Sequence, residues 1–350
     1  VQLAENVLLA PYTTIRLGGP ARYLADCAGA DDVGEALRFA DAHALPVQVM
    51  GGGSNLVFAD GGFPGVVLRV ASRGFAFRDE TGGATLTAAA GEPWDAVVAE
   101  SVRRGLTGIE CLSGIPGTVG GTPIQNVGAY GQEVAETLVA VTCLARETLR
   151  PVSFARADCG FGYRTSRFKR EDRDRYVVTE VTFRLHRDRG PELRYPELAT
   201  AVSARREPLS VRLVRDTVLA LRRGKAMVLS PDDPNTRSVG SFFLNPVLAP
   251  AAFAELEQRW RAAHGTGPVP SFRAAAGVKV PAAWLVEHAG FRKGQRHGGA
   301  GISNRHALAL VNLGGTTDEL LALAQEIQQA VYEKFGVNLE REPVVVGVPS

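Results

Sequence analysis

The 350-residue chain is long enough for two or three domains and a sizeable buried core. Its hydrophobic share of 45% and charged share of 22% are those of a soluble globular protein, and a net charge of +2 leaves no electrostatic footprint for nucleic acid. No apolar run approaches the roughly 18 residues of a membrane span, the N-terminus lacks a basic-then-apolar signal pattern, and Cys27, Cys111, Cys143 and Cys159 form neither a C-x-x-C pair nor a metal-like cluster, so reduced thiols and a cytoplasmic location are expected.

The first seventy residues alternate strand and helix. A strand is expected over 21–27 and a helix over 31–44, where Val33, Ala36, Leu37 and Ala40 recur at helical spacing. A short strand over 46–50 runs straight into Gly51-Gly52-Gly53-Ser54-Asn55, the usual placement of a ligand-binding loop, and 66–70 is a further β-rich run. From there the pattern changes. Residues 75–79 and 85–89 flank Gly82-Gly83 as a hairpin. A helix over 94–104 is bracketed by Pro93 and Gly105, 138–144 and 151–154 form another hairpin, and 176–186 alternates as a long strand. These features predict an α+β fold with antiparallel pairing rather than a repeating βαβ unit.

A helix over 210–223 has Ser210 as its N-cap. The last third predicts helices over 251–264 and 281–288, the latter closed by Gly290, and an apolar strand over 306–312. Thr316 and Glu319 open a long amphipathic helix as a capping box, Gly336 ends it, and 344–348 is a final strand. Boundaries are expected near residues 70 and 228.

The stretch Ile109–Glu133 is rich in glycine yet carries Pro116, Pro123, Gln125, Asn126 and Tyr130, which fix a backbone path and offer polar contacts. Glycine lets main chain approach a ligand closely, and converging N–H groups bind anions such as a pyrophosphate. The residues alone leave a long surface loop as an equal reading. At 51–56 a dinucleotide fingerprint requires a final glycine and a helix start; Leu56 stands there, followed by Val57-Phe58, so the loop fails that test. Arg164 sits in the turn-like Phe161-Gly162-Tyr163-Arg164-Thr165-Ser166 and offers a planar fork for a carboxylate, although a surface arginine fits equally. Ser238–Pro246 combines Ser241 with Phe242-Phe243, without the order of a hydrolase elbow. Glu340 and Glu342 precede the final strand. The six histidines form no H-x-x-x-H or H-x-H set, so no metal site is expected.

Together G-G-G-S-N-L (51–56), I-P-G-T-V-G-G-T-P-I-Q-N-V-G-A-Y-G (115–131), F-G-Y-R-T-S (161–166), G-S-F-F-L-N-P (240–246) and L-E-R-E (339–342) resemble, in content and order, the UDP-N-acetylenolpyruvoylglucosamine reductase family. The resemblance runs from Thr13-Thr14-Ile15-Arg16-Leu17-Gly18-Gly19 to the final strand. It implies an α+β FAD-binding fold of the vanillyl-alcohol-oxidase (PCMH) kind in two subdomains, 1–70 with 336–350 and 71–227, plus a smaller α+β substrate-binding domain at 228–335. It also implies non-covalent FAD, with NADPH as co-substrate. The FAD lining would be Gly51, Gly52, Gly53, Ser54, Asn55, Leu56, Ser113, Ile115, Pro116, Gly117, Thr118, Gly120, Gly121, Thr122, Gln125, Asn126, Gly128, Ala129 and Tyr130.

Carried over position by position, Arg164 matches the family's catalytic arginine, Ser241 its proton-donating serine and Glu342, rather than Glu340, its glutamate in the L-E-x-E frame. Tyr163, Tyr195, Lys225 and Asn245 match substrate-binding positions. Leu193–Leu198 resembles the tyrosine loop of one subtype, and Leu244 stands where a lysine is common. The implied reaction reduces the enolpyruvyl double bond of UDP-N-acetylglucosamine enolpyruvate in peptidoglycan precursor synthesis. The implied partners are that substrate and NADPH, with no nucleic acid, membrane or obligate protein partner. A different flavin oxidase on the same scaffold, or a non-catalytic nucleotide-binding protein, are the competing readings; fold alone does not separate them.

Overall fold

A computed structural model describes residues 1–264, 267–274 and 276–347. Within these residues the chain builds two compact units. One gathers Val1–Val7, Pro20–Gly53 and Phe63–Val228; the other gathers Leu8–Gly19, Ser54–Gly62 and the chain from Leu229 onward.

The first unit holds two sheets. A four-stranded sheet has the order Leu3–Leu8, Pro20–Cys27, Phe63–Val70, Val47–Met50. Both Pro20–Cys27 and Val47–Met50 run parallel to Phe63–Val70, whose Val66, Val67 and Leu68 are fully buried. A central parallel strand covered on both faces reads as such a continuous apolar run. The helix Ala30–Ala42 buries Val33, Ala36, Leu37 and Ala40, the stripe expected from its sequence.

The second sheet is five-stranded and antiparallel, in the order Pro151–Ala155, Leu138–Ala145, Tyr176–His186, Gly83–Ala89, Phe75–Glu80. Both hairpins expected from the sequence are in it. The long strand Tyr176–His186 buries Val181, Phe183 and Leu185 and leaves the alternate residues more open. On its core lies the helix Trp94–Arg103, with Trp94, Val97 and Val98 buried. The helix Val211–Gly224 begins where Ser210 accepts a hydrogen bond from the Leu213 N–H at 3.1 Å. It packs against Pro196–Ala204 around Leu198, Val202, Leu213, Val214 and Val218.

The second unit is built on the helix Thr317–Phe335, which buries Leu320, Leu323, Ala324, Ile327, Val331 and Phe335. Its capping box is complete, and Gly336 closes it at φ +70°. Two small antiparallel sheets, Val247–Leu248 with Gly277–Lys279 and Phe272–Ala274, and Arg296–His297 with Ala300–Ile302 and Leu310–Asn312, accompany it. Leu56–Phe58 pairs in parallel with Val344–Val346.

Three outcomes differ from the sequence expectations. The strand expected over 306–312 is confined to Leu310–Asn312. Residues 306–309 form a turn in which Ala309 N–H donates to the His306 carbonyl at 3.1 Å, and they are apolar because Ala307, Leu308 and Ala309 are buried. The end of the segment likened to the tyrosine loop, Pro196 to Leu198, already belongs to a helix, Pro196–Ala204, with Pro196 in its first turn. The strand Leu3–Leu8 was not anticipated, because Glu5 and Asn6 interrupt its apolar residues and its burial is slight. Val348, part of the expected last strand, lies outside the described residues.

Candidate functional site

The first glycine loop leaves the strand Val47–Met50 and lies directly against the second. A Cβ built on Gly51 would stand 2.2 Å from Thr118 Oγ1, and one on Gly52 would stand 3.0 Å from Gly117 Cα. Only glycine allows main chain this close. The second loop is anchored from below. Gly117 carbonyl accepts from Trp94 N–H at 3.1 Å, Val119 N–H donates to Glu92 O at 2.9 Å and Gly120 N–H to Ala90 O at 2.8 Å. Ser113 is buried and donates to Glu110 O at 2.6 Å; Thr122 donates to Val119 O at 2.7 Å. Ile115, Pro116, Gly117 and Thr118 are half-buried, a ledge with main chain at its surface. Gly121 is exposed, and Ser54, Asn55 and Leu56, half-buried, belong to the second unit. A close-packed pair of glycine loops whose backbone a Cβ would push apart fits a flat, anionic cofactor such as FAD.

Asp95 ties this ledge to a helix. Its carboxylate accepts from Gly114 N–H at 2.6 Å and takes both Arg215 guanidinium nitrogens at 2.7 and 2.8 Å. Burial pushes the Asp95 carboxyl up, but the Arg215 and Gly114 hydrogen bonds outweigh it and hold the group below its ordinary value. Cys111 beside the ledge is pushed up to about 12, chiefly by burial, and remains a neutral thiol.

Asn126 is buried at 1% exposure in a left-handed conformation, φ +46°. Its amide donates to Glu133 at 2.7 Å and to the Gly162 carbonyl at 3.0 Å, and its oxygen accepts from Ala135 N–H at 3.2 Å. This side chain holds the loop's own path together and brings the 161–166 turn to it. In that turn Gly162 and Thr165 exchange N–H···O bonds of 3.0 and 3.2 Å, which throws Arg164 to φ +53°. A non-glycine residue held there stores strain, a condition found at functional positions. The Arg164 guanidinium donates to the Gly128 carbonyl and, at 3.5 Å, to that of Asn126. Thus Arg164, Asn126, Gly128 and the adjacent Ala129 are brought together; Tyr163, exposed, lies against Arg164 at 5.5 Å from ring centroid to guanidinium.

Further along the loop Tyr130, at φ +49°, meets Tyr195 edge to face with ring centroids 5.6 Å apart. Lys225 Nζ stands 5.8 Å from the Tyr130 ring and donates to Glu197 Oε2 at 2.6 Å. Burial pushes the Tyr130 hydroxyl up to about 12. Arg222, one helical turn before Lys225, donates through Nη2 to Met227 O at 2.8 Å, and its buried Nε has no hydrogen-bond partner. Burial lowers its pKa, with Tyr130 opposing. Glu197, Asp95, Arg215 and Arg222 were missed in the sequence. Arg222 and Lys225, spaced to put two cations at one helix end, are a signal that could have drawn attention to Arg222; no local pattern marks the other three.

In the second unit residues 242–244 run antiparallel to 340–342. Glu342 N–H donates to Phe242 O at 2.9 Å, Leu244 N–H donates to Glu340 O at 2.9 Å, and Phe243 faces Arg341. Phe242 and Phe243 are core residues. The pairing sets Glu342 opposite Phe242, the residue after Ser241, and Gly240 at φ +78° turns the chain just before Ser241. Glu340 is exposed whereas Glu342 is half-buried. Asn245 accepts from Ala282 N–H at 2.8 Å, which fixes its amide. Asn55 donates to the Glu342 carbonyl at 3.4 Å and accepts from Val344 N–H at 3.0 Å. Gln125 is half-buried within the first unit.

Two family models match the chain: an FAD binding domain over residues 21–147, and the C-terminal domain of UDP-N-acetylenolpyruvoylglucosamine reductase over 232–346. The UDP-N-acetylenolpyruvoylglucosamine reductase of Streptomyces coelicolor is 49% identical, the match covering 99% of this chain and 91% of that protein. That of Thermobifida fusca is 48% identical over 99% and 98%. The crystal structure of the reductase from Thermus caldophilus superposes with a TM-score of 0.65 at 26% identity, covering 99% of both chains.

Proposed function

The chain belongs to the UDP-N-acetylenolpyruvoylglucosamine reductase family, and from that membership we propose that Arg164, Ser241 and Glu342 carry its chemistry. The enzyme is an FAD-containing oxidoreductase that uses NADPH to reduce the enolpyruvyl double bond of UDP-N-acetylglucosamine enolpyruvate, giving UDP-N-acetylmuramate for peptidoglycan. FAD, when bound, supplies the hydride that NADPH delivers to it and that C3 of the enolpyruvyl group receives.

The protein's part is binding, orientation and one proton. Negative charge builds toward C2 and the substrate carboxylate as C3 is reduced. Arg164 stabilises it through a guanidinium whose place is set by the strained 162–165 turn. Glu342 completes the carboxylate end, and Ser241 Oγ donates the proton to C2. The observation that supports grouping Ser241 with Glu342 is the 242–244 and 340–342 pairing, which brings Glu342 opposite Phe242, the residue next to Ser241. The greater burial of Glu342 favours it over the exposed Glu340.

The cofactor is held without a covalent bond by main chain at Gly51–Gly53 and Ile115–Thr118, with Gly120–Thr122, Gln125, Gly128, Ala129 and Tyr130 extending the surface. Asn126, its side chain spent on Glu133, Gly162 and Ala135, serves through the backbone it shapes. Tyr163, Tyr195, Lys225 and Asn245 bind substrate, and the Tyr130–Tyr195 contact supports the tyrosine-loop subtype. In this reading residues 1–70 with 336–350 and 71–227 bind flavin, and 228–335 serve the substrate. A cytoplasmic location, where NADPH and a nucleotide-sugar substrate are supplied, goes with this reading. Among the described residues no helix is long and apolar enough to cross a membrane.

Ser241→Ala is the decisive variant. NADPH should still bleach its flavin in anaerobic stopped flow, while turnover with the enolpyruvyl substrate falls by about 10²–10⁴-fold, the range of general acid catalysis. Survival of both half-reactions would remove Ser241 from the proton step.

A further inference from the structure

Lys225 already has an anionic partner in the protein. Its ammonium donates to Glu197 Oε2 at 2.6 Å, the two side chains are 34% and 39% exposed, and Nζ stands 5.8 Å from the Tyr130 ring. Glu197 lies two residues after Tyr195, in the first turn of the helix Pro196–Ala204. Lys225 is the cap of the helix Val211–Gly224. The pair therefore closes one end of an open groove of about 440 Å³ between these helices, lined also by Ala201, Arg205, Thr217, Ala220 and Leu221.

We propose that Glu197 is a placeholder for the diphosphate of the nucleotide substrate: it holds Lys225 in place over Tyr130, and Lys225 exchanges Glu197 for substrate phosphate oxygens on binding. The proposal rests on the reading of Lys225 as a substrate residue.

Three features suit Glu197 to give up its partner. A partly exposed ion pair contributes little, whereas a diphosphate offers a denser set of charge-assisted acceptors. Glu197 is not stranded by the exchange, because its carboxylate stays partly solvated and sits where the positive end of a helix dipole favours an anion. Lys225 is not released either, because the Tyr130 ring face keeps the ammonium near its position. The resting pair thus limits affinity for the anionic nucleotide while keeping the lysine stem ordered.

The test is a double-mutant cycle on the flavin-loaded enzyme, with UDP as the probe and calorimetry as the readout. Glu197→Gln keeps the shape and removes the competing charge, so UDP should bind about three- to fivefold tighter at low salt, the equivalent of one surface ion pair. That gain should shrink at 0.5 M salt and vanish in the Lys225→Gln background, which by itself weakens UDP binding. A purely structural Glu197 would show neither dependence. Unchanged or weaker binding by Glu197→Gln, or the same gain without Lys225, overturns the exchange. If Lys225→Gln binds UDP as tightly as the parent, the assignment of Lys225 fails first and the exchange falls with it. Should Glu197→Gln lose its flavin, Glu197→Asp is measured instead. It draws the charge back by one methylene, and a gain smaller than twofold that depends on Lys225 is then the supporting result; any loss of affinity is the opposing one.

Discussion

Asn126 shows how much one buried side chain can specify. Its side chain makes three hydrogen bonds, to Glu133, the Gly162 carbonyl and the Ala135 N–H, so it joins the second glycine loop to the turn that carries Arg164. Asn126→Ala strands the buried Ala135 N–H, takes one of two donors from the Gly162 carbonyl and removes a partner from Glu133, at a cost of about 1–3 kcal/mol. Urea unfolding of the flavin-free protein should register that loss, and reductase activity should fall as Arg164 loses its support. Gly51 makes the opposite point, since what matters there is an absent atom. Gly51→Ala places a methyl 2.2 Å from Thr118 Oγ1, an overpacking cost of about 1–3 kcal/mol. Adding Thr118→Ala removes the clashing oxygen and should restore much of the melting temperature. An unrecovered double variant would mean that the strain lies in the backbone.

Among the elements, the helices Trp94–Arg103 and Val211–Gly224 are joined through Asp95 and Arg215, and the same carboxylate grips the second glycine loop at Gly114. Because the folded Asp95 carboxyl lies below its ordinary value, its contribution to stability is present above an unfolded pKa of roughly 3.9 and is lost as pH falls through the lower folded value. Thermal melting followed downward from pH 5 should show this loss, and Asp95→Asn should flatten that limb of the profile. At the other end of the chain Thr316→Ala removes a cap worth about 1 kcal/mol. These caps were legible in the sequence because Thr316 and Ser210 act on N–H groups three residues away. The hairpins were legible for the same local reason, as were the two glycine loops. What stayed hidden depends on distance along the chain. Glu197 and Lys225 are separated by 28 residues and Asp95 and Arg215 by 120, and no periodicity links them. Residues 306–309 misled because burial, not strand pairing, makes them apolar.

For the whole molecule, a ligand that binds only the folded state stabilises it in proportion to the logarithm of its concentration. FAD at 100 times its dissociation constant should add about 2.7 kcal/mol. The chain's order in the fold has a different consequence, one that belongs to its synthesis. Leu8–Gly19 and Ser54–Gly62 are made early, yet they belong to the unit completed only by the chain from Leu229 onward. Leu9, Ile15, Leu17, Val57 and Phe58, all buried in the finished protein, therefore leave the ribosome without their eventual cover. At ribosomal speeds of roughly 5–20 residues per second the wait is on the order of ten seconds. Over that interval the nascent chain carries two apolar stretches that a holding chaperone can bind, and a chain stopped after Val228 would keep them exposed indefinitely.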